Sequence, residues 1–313
     1  MSAPPSAGFT LTRAEEGDGV DCLVAEVLRG LSLTPRRLPG RLARLSGRRE
    51  PHAADALLAA HLDEVAGRLA PRTVIDLAPG RPARTRRLLD ALGTASTYVP
   101  VAAAEAALTS TARALAGERP WLRVRAVLRD PLHGLGPLPA PAPRLFVVPG
   151  STVGSLWPAE RAAFLIALRT LLGPQDAVLL GTELVREGAG RAEPPGDEPR
   201  AAAALHGELL ALLNRKLDAD FAPDAFTHAV SWNPRLLRTE LRLRARHPVA
   251  VRIPKAGLTV RFVPGEDVLT DIAARLRPPQ LSDVLAGAWL APVRTWIDAS
   301  GRHALTLATP EAA

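Results

Sequence analysis

The sequence predicts an α/β fold built on a doubly wound, mostly parallel β-sheet. Between residues 72 and 184, short runs rich in Val, Ile and Leu alternate with stretches whose apolar residues recur at helical spacing. This alternation is typical of parallel strands joined by helices. In addition, the first strand–loop–helix segment, "TVIDLAPGRPARTRRLLDAL" at 73–92, places an acidic residue before a glycine-bearing turn. Parallel sheets present backbone N–H groups to nucleotide-like ligands at such a turn.

The composition is that of a globular protein with an excess of arginine. The chain has 313 residues, a formal net charge of +7 and only two lysines, Lys216 and Lys255. Its arginines are scattered among Ala, Pro and Leu rather than clustered with aromatic residues, so we expect no nucleic-acid binding. The single cysteine, Cys22, excludes an internal disulfide and a cysteine-based zinc site, and we predict no bound metal.

The sequence does not predict a membrane protein or an exported one. No apolar run approaches the ~20 residues of a membrane-spanning helix. The N-terminal residues lack the charged-then-apolar pattern of a secretion signal. We therefore expect a cytoplasmic protein without membrane association.

The N-terminal part is predicted to be helical on either side of a basic loop. Residues 1–20 are small, polar and rich in Pro and Gly, so we expect them to be disordered. The segments 21–31 and 52–71 have apolar residues at helical spacing. Residues 32–51 between them are rich in turn formers and arginine, which indicates a loop.

The predicted sheet comes next. Helix ends are indicated by Gly93 and Gly173, and a helix start by Pro158. The predicted strands are "RTVIDL", "STYVPVA", "LRVRAVLRD", "PRLFVVPGS" and "DAVLLGTEL", and the predicted helices are "ARTRRLLDALG", "AEAALTSTARALAGE" and "PAERAAFLIALRTLLG".

Beyond the sheet the pattern changes. Residues 185–200 are rich in Gly, Pro and charge and read as a loop, followed by a helix over 201–221. Alternating residues in "RTELRLRAR" and "LTVRFV" predict antiparallel hairpins. Two helices are predicted after them, "DVLTDIAARL" and "LSDVLAGAWL", and two strands around Ser300-Gly301 close the chain.

Several segments in order along the chain resemble a known family, the histidine-specific Nα-methyltransferases of ergothioneine biosynthesis, which use S-adenosylmethionine. The resemblance runs from about residue 71 to 308 and implies a Rossmann-like methyltransferase domain with a smaller inserted α+β substrate domain. Together with the pattern of segments, it predicts N-terminal helices plus the main part of the methyltransferase domain over 21–189, the insertion over 190–275, and a C-terminal helix and strands that return to the sheet over 276–313. The segments are "VIDLAPGRPARTRRLLDAL", "YVPVAAAEAAL", "PGSTVGSLWPAERAAFL", "LLGTELV", "LLNRKLDADFAPDAFTH", "LTVRFVPGEDVLTDIAARL" and "WIDASGRHALTLA".

The resemblance implies a cofactor site with two departures from the family. Asp76, Gly80, Arg84 and Asp130 match the residues expected to hold S-adenosylmethionine. The loop after the first strand reads Ala-Pro-Gly where the family has Gly-Ser-Gly, and proline removes an N–H donor. Ala102 stands where the family carries the aspartate that holds the ribose hydroxyls. A lost charge-assisted hydrogen bond costs about 1.5–3 kcal/mol, and we expect weakened binding.

On the acceptor side the resemblance implies Ser151, Ser155 and Asp271 as substrate-binding residues. Ser155 replaces the family's pocket asparagine, while Asp271 and Ala273 replace its imidazole-binding glutamate and serine. The family's two pocket tyrosines have no counterpart, because the only tyrosine, Tyr98, belongs to the second predicted strand. A site built to hydrogen-bond its substrate loses discrimination when those partners are absent, which argues against histidine as the acceptor.

Two hypotheses for function follow. The first is an S-adenosylmethionine-dependent N-methyltransferase acting on an amino acid or a small amine. The second is a paralogue that has lost catalysis and acts as a binding protein with a protein partner. Fold alone does not separate them, and no catalytic residue is assigned.

Overall fold

The computed structural model describes two compact units. The described residues are 9–13, 20–31, 36–38, 52–79, 81–103, 105–132, 134–138, 140–148, 150, 152–185 and 198–311. Unit 1 comprises Met1–Ala14, Arg49–Glu187 and Arg275–Ala313, and unit 2 comprises Glu15–Arg48 and Gly188–Ala274. The domain boundaries implied by the family resemblance stay a prediction.

Unit 1 contains an eight-stranded sheet and five α-helices among its described residues. The strands are β1 (Phe9–Arg13), β3 (Thr73–Asp76), β4 (Thr97–Ala102), β5 (Arg123–Leu128), β6 (Arg144–Val148), β7 (Ala177–Glu183), β13 (Leu290–Ile297) and β14 (His303–Pro310). The helices are α2 (His52–Arg68), α3 (Pro82–Ala91), α4 (Glu105–Glu118), α5 (Pro158–Leu171) and α7 (Pro278–Ala286).

The sheet of unit 1 is doubly wound. Its strand order is β1-β5-β4-β3-β6-β7-β14-β13. In this order, all neighbouring strands from β1 to β7 pair in parallel, and β14 runs antiparallel to β7. Because β4 lies on one side of β3 and β6 on the other, the winding reverses at β3. The carboxyl end of such a reversal is where open α/β sheets bind ligands.

Each face of the sheet is covered by its own hydrophobic core. Ile75 and Phe146 belong to one core, with apolar side chains of α5 and α7. Val74 and Leu145 belong to the other, with side chains of α2, α3 and α4. Neighbouring strand residues therefore point into opposite cores, as the pleat requires. The fold class predicted from the sequence is confirmed.

Unit 2 is an α+β arrangement in its described residues. The helices are α1 (Val20–Leu31) and α6 (Glu198–Leu217), and the strands are β2 (Arg36–Arg37), β8 (Phe226–Asn233), β9 (Arg238–Ala245), β10 (Val249–Ile253), β11 (Leu258–Phe262) and β12 (Asp267–Ala274). One sheet has the order β2-β12-β9-β8, and β10 and β11 form a separate pair. Both predicted hairpins are present, since β8 pairs antiparallel with β9 and β10 with β11.

The structure corrects two local predictions. Residues 267–276 were predicted to be helical, but Asp267–Ala274 forms β12, hydrogen-bonded between β2 and β9. The helix formers at its end are overridden by burial of both faces in the sheet. Within the N-terminal segment predicted to be disordered, residues 9–13 form β1, where Phe9 and Leu11 pack against a core of unit 1.

Two predicted loops are described only in part. Most residues of the predicted loops over 32–51 and 185–200 lie outside the described residues. Where they are described, Arg36–Arg37 form β2 and α6 begins at Glu198, which corrects the loop prediction at these positions. In the described part of the chain, no helix has both the length and the apolar character needed to span a bilayer.

Candidate active site

The candidate cofactor crevice begins where β3 and β6 end side by side. Asp76, the last residue of β3, lies opposite Val147 of β6. The backbone N–H of Leu77 still donates to the Val147 carbonyl at 3.0 Å. The loops that follow these two strands therefore start next to each other, at the reversal of the sheet. Gly80 in the first loop and Ser151 in the second lie outside the described residues.

Asp76 is a fully buried carboxylate that accepts hydrogen bonds on both oxygens. Its side chain is 0% exposed. Oδ1 accepts from the backbone N–H of Ala78 at 3.1 Å and from Arg84 Nη2 at 3.3 Å. Oδ2 accepts from the Tyr98 hydroxyl at 3.1 Å and from the Thr85 hydroxyl at 3.3 Å. A buried charge needs such partners to offset its desolvation. Asp76 thus joins the β3 loop, α3 and β4.

Tyr98 holds this carboxylate from the neighbouring strand. It is 0% exposed. Burial, together with the charge of Asp76, raises the pKa of the Tyr98 hydroxyl well above its ordinary value. The hydroxyl therefore stays protonated and donates a hydrogen bond to Asp76. The only tyrosine of the chain is committed to the core, so its hydroxyl is not available to an acceptor pocket.

Arg84 links the same loop to the first turn of α2. Its guanidinium also donates to the Ala78 carbonyl. Asp55 of α2 approaches both Arg81 Nε, at 2.7 Å, and Arg84 Nη1, at 3.9 Å. These side chains line a cavity of about 280 Å³, together with Arg87 and apolar residues of α2. The cavity combines three arginine side chains with an apolar wall, and Asp55 balances part of their charge.

The ends of β4 and β5 differ in what they can bind. Ala102, half-buried at the end of β4, has no polar group on its side chain, and its carbonyl accepts the Arg129 N–H at 2.9 Å. Asp130 after β5 is 5% exposed, and its Oδ1 accepts the Leu132 N–H at 3.0 Å. A carboxylate is present after β5, and the side chain at the end of β4 offers no acceptor.

Ser155 is part of a tight turn that Arg161 holds in place. The residues Val153–Ser155 form a short 3₁₀ helix after β6. The Ser155 hydroxyl donates to the Thr152 carbonyl at 2.8 Å. Arg161 of α5, itself buried, donates from Nε to the Val153 carbonyl at 2.8 Å and from Nη2 to the Leu156 carbonyl at 3.2 Å. Burial lowers the pKa of Arg161.

In unit 2, Asp271 follows a bulge in β12. The pairing of β12 with β9 shifts between Leu269 and Asp271, which leaves Thr270 as the extra residue. Asp271 is 3% exposed, and its Oδ1 accepts the N–H of Ile272 at 2.9 Å. Bulges redirect side chains and are frequent beside active sites.

A chain of hydrogen bonds leads to this bulge from two histidines. His206 of α6, 0% exposed, contacts the Thr270 hydroxyl through Nε2 at 2.6 Å and His228 Nδ1 through Nδ1 at 2.9 Å. The Thr270 hydroxyl donates to the Leu241 carbonyl at 2.8 Å. Burial, and then the charge of a protonated His228, lower the pKa of His206 to about 4. Of the two histidines, His206 is fully buried.

The structure brings together only part of the predicted cofactor set. Asp76 and Arg84 are in direct contact, and Asp130 follows β5, two strands away from β3. Sequence reasoning missed Asp55, Thr85 and the role of Tyr98. One signal was available, since a lone tyrosine in a strand destined for the core needs a polar partner for its hydroxyl. Among the described residues, no group of His, Cys, Asp and Glu side chains is arranged to hold a metal ion.

The comparisons with known proteins agree with one another. The model of a family described as "Histidine-specific methyltransferase, SAM-dependent" matches residues 51–310. The chain belongs to this family. A histidine N-alpha-methyltransferase of Mycobacterium tuberculosis (strain CDC 1551 / Oshkosh) is 36% identical over 309 residues, covering 94% of this chain and 96% of that protein. One of Mycolicibacterium smegmatis (strain ATCC 700084 / mc(2)155) is 38% identical over 239 residues, covering 75% and 74%.

The family resemblance stated from the sequence is thereby confirmed, as is S-adenosylmethionine as the family's cofactor. Among solved structures, the glycopeptide N-methyltransferase MtfA complexed with S-adenosyl-L-homocysteine is 17% identical with a TM-score of 0.44, covering 84% of this chain and all of that one. That value is too low to support an argument. The assignments of single residues in this family member stay predictions.

Replacing Tyr98 by Phe should destabilise the protein through Asp76. The variant leaves a buried carboxylate oxygen short of one donor, which costs about 1.5–3 kcal/mol in the free energy of unfolding. Denaturant titration of Tyr98→Phe measures the loss. In a double-mutant cycle with Thr85→Val the two losses should not add, because both hydroxyls serve the same oxygen. Additive losses would show that the two donors act independently.

Stability should fall between about pH 6.5 and 4 because of His206. Its pKa is about 4 in the folded chain and about 6.5 when unfolded. In this window the unfolded state takes up the proton, so stability falls as pH falls. From pH 7 to 5 the expected loss is about 2 kcal/mol beyond that of His206→Leu. Parallel denaturant titrations at the two pH values test this, and an equal loss in both proteins would contradict it.

Proposed function

We propose that this protein transfers the methyl group of S-adenosylmethionine to the amine of an amino acid or a related small amine. The observation that carries the proposal is the family match over 51–310, which spans the reversal of the sheet at β3. Other support comes from the residues that surround the end of β3.

The described residues fit the cofactor at both of its ends and less well in the middle. We propose that the guanidinium groups of the cavity beside α3 meet the carboxylate of the methionine moiety, where Arg81 and Arg84 also pair with Asp55. The Asp130 carboxylate can accept from the amino group of the adenine. At the end of β4, Ala102 supplies no acceptor for the ribose hydroxyls. We propose that Asp76 supports the loop that follows β3, because its oxygens already accept hydrogen bonds from four groups of the chain.

When bound, S-adenosylmethionine supplies an electrophilic methyl group. An amine is mostly protonated at neutral pH. The protein must therefore present the deprotonated amine, with its lone pair in line with the S–C bond that breaks. The ammonium form would first release a proton to solvent, and transfer of the methyl group to the free amine would leave S-adenosylhomocysteine as the second product. Orientation of this kind accounts for much of the rate in such transfers.

The acceptor is proposed to be a molecule that presents a hydrogen-bond donor or a positive charge to Asp271. The commitment of Tyr98 to the core and the presence of Ala273 leave fewer hydrogen-bonding partners than the family's histidine pocket has. We therefore propose an amino acid or amine other than histidine as the preferred acceptor. The curated relatives make histidine the first compound to test.

Calorimetry followed by a methyl-transfer screen tests this function. The cofactor, S-adenosylhomocysteine and 5′-methylthioadenosine are titrated into the protein. We expect the first two to bind more tightly than the third, which lacks the carboxylate that Arg84 is proposed to hold. No heat at millimolar ligand would overturn the enzyme hypothesis and leave the non-catalytic one. In the screen, turnover of histidine matching that of a family enzyme would show that the argument against histidine is wrong.

Restoring an acidic side chain at the end of β4 should strengthen cofactor binding. Ala102→Asp is expected to raise the affinity for S-adenosylhomocysteine about ten- to a hundredfold, the value of one charge-assisted hydrogen bond. The matched control is Ala103→Asp, which adds the same charge to the next half-buried alanine. Calorimetric affinities compare the two. An equal change in both variants would mean that charge alone, and not position, is responsible.

A further inference from the structure

The bulge before Asp271 is fixed by a set of polar contacts that the proposed reaction does not use. Thr270 is the extra residue of the bulge, and it is 1% exposed. Its hydroxyl donates to the Leu241 carbonyl, on the β9 residue that Asp271 faces. A single hydroxyl thus ties the irregular point of β12 to the neighbouring strand.

The protons in this chain of contacts have one consistent arrangement. The Thr270 hydroxyl donates its hydrogen bond to the Leu241 carbonyl, so it accepts one from His206. The proton of the His206 ring is therefore on Nε2. His206 Nδ1 is then an acceptor, and His228 Nδ1 must carry a proton to meet it at 2.9 Å. The planes of the two rings lie 24° apart, with centroids separated by 5.1 Å. Each contact has one donor and one acceptor.

This arrangement anchors the bulge to a helix. His206 lies on α6, whose side chains Leu209, Leu210 and Leu213 are in the core of unit 2. His228 is exposed and lies on β8, the edge strand of the sheet that contains β12. The ring of His206 therefore fills a buried position with a hydrogen-bonding group where an apolar side chain would satisfy packing alone. Burial of a polar ring is costly unless its nitrogen atoms are hydrogen-bonded, and both nitrogens of His206 have such partners.

We propose that His206 is a positioning residue that sets the direction of the Asp271 carboxylate through Thr270. The proposal deepens the proposed function, since it rests on Asp271 as the group that recognises the acceptor. Asp271 is the residue next to the bulge, and its Oδ1 receives the Ile272 N–H. A change in the bulge alters both the backbone and the direction of this carboxylate.

Substitutions at Thr270 separate positioning from general stability. Thr270→Val removes the hydroxyl at constant shape, and Thr270→Ser keeps it. The matched control is Thr227→Val, because the Thr227 hydroxyl also bonds a β9 carbonyl, that of Arg244, at 3.3 Å. Thr227 precedes His228 on β8, and the alternation of a strand directs the two side chains to opposite faces of the sheet. His206→Leu provides a second route to the same loss.

The first readout is nuclear magnetic resonance, which needs no activity. The nitrogen shifts of wild-type His206 and His228 should show neutral rings with protons on Nε2 and Nδ1 respectively. The amide resonance of Ile272 reports its bond to Asp271, and it should move in Thr270→Val and His206→Leu but not in Thr270→Ser or Thr227→Val. The opposite tautomers, or an unmoved Ile272 resonance, would overturn the proposal.

The second readout is kinetic, with the best acceptor found in the screen. Thr270→Val and His206→Leu should raise the KM for the acceptor about tenfold or more while the affinity for S-adenosylhomocysteine stays constant. Thr270→Ser should restore the wild-type KM. Equal losses of acceptor and cofactor binding would indicate a merely structural role and overturn the proposal. If the wild type methylates no acceptor, the proposed function fails, and the Ile272 resonance still decides whether His206 positions Asp271.

Discussion

The architecture around the end of β3 depends on one buried negative charge. The Asp76 carboxylate has no contact with solvent, and its desolvation is offset by a backbone amide, a guanidinium and two hydroxyls. These donors come from three different elements, so satisfying one carboxylate also fixes the loop, the start of α3 and its distance from β4. The Ala-Pro-Gly sequence of the loop is compatible with this arrangement, because the N–H that Asp76 needs belongs to Ala78 and not to Pro79.

The sheet could be predicted from the sequence because its strands are buried on both faces. Continuous apolar runs such as Val178–Leu180 have no period-2 pattern to misread, and Gly or Pro marks the helix ends. The prediction failed at β12, where "DIAARL" has the propensity of a helix. Only the partners β2 and β9, distant along the chain, decide in favour of a strand. Local sequence does not contain that information.

The candidate site could be predicted only at positions that match a motif. Asp76 and Arg84 lie eight residues apart in the segment that resembles the family, and the structure places them in contact. The roles of Tyr98, Asp55 and His206 depend on which elements pack together, and no spacing along the chain encodes that. The same packing gives two of the arginines a structural role. Arg84 and Arg161 are buried and donate to loop carbonyls, a task suited to a planar group with five donors.

The commitment of the lone tyrosine to the interior has an experimental consequence. A phenol changes its ultraviolet absorbance when it ionises, and a solvated tyrosine does so near pH 10. In this protein the single phenol is shielded by the packing of β4 and α3 and by an adjacent anion. Alkaline difference absorbance therefore carries no background from surface tyrosines. The absorbance change of the ionised phenol appears when the packing around the end of β3 opens to solvent. Tyr98 is therefore an intrinsic optical probe of local unfolding at this end of the sheet.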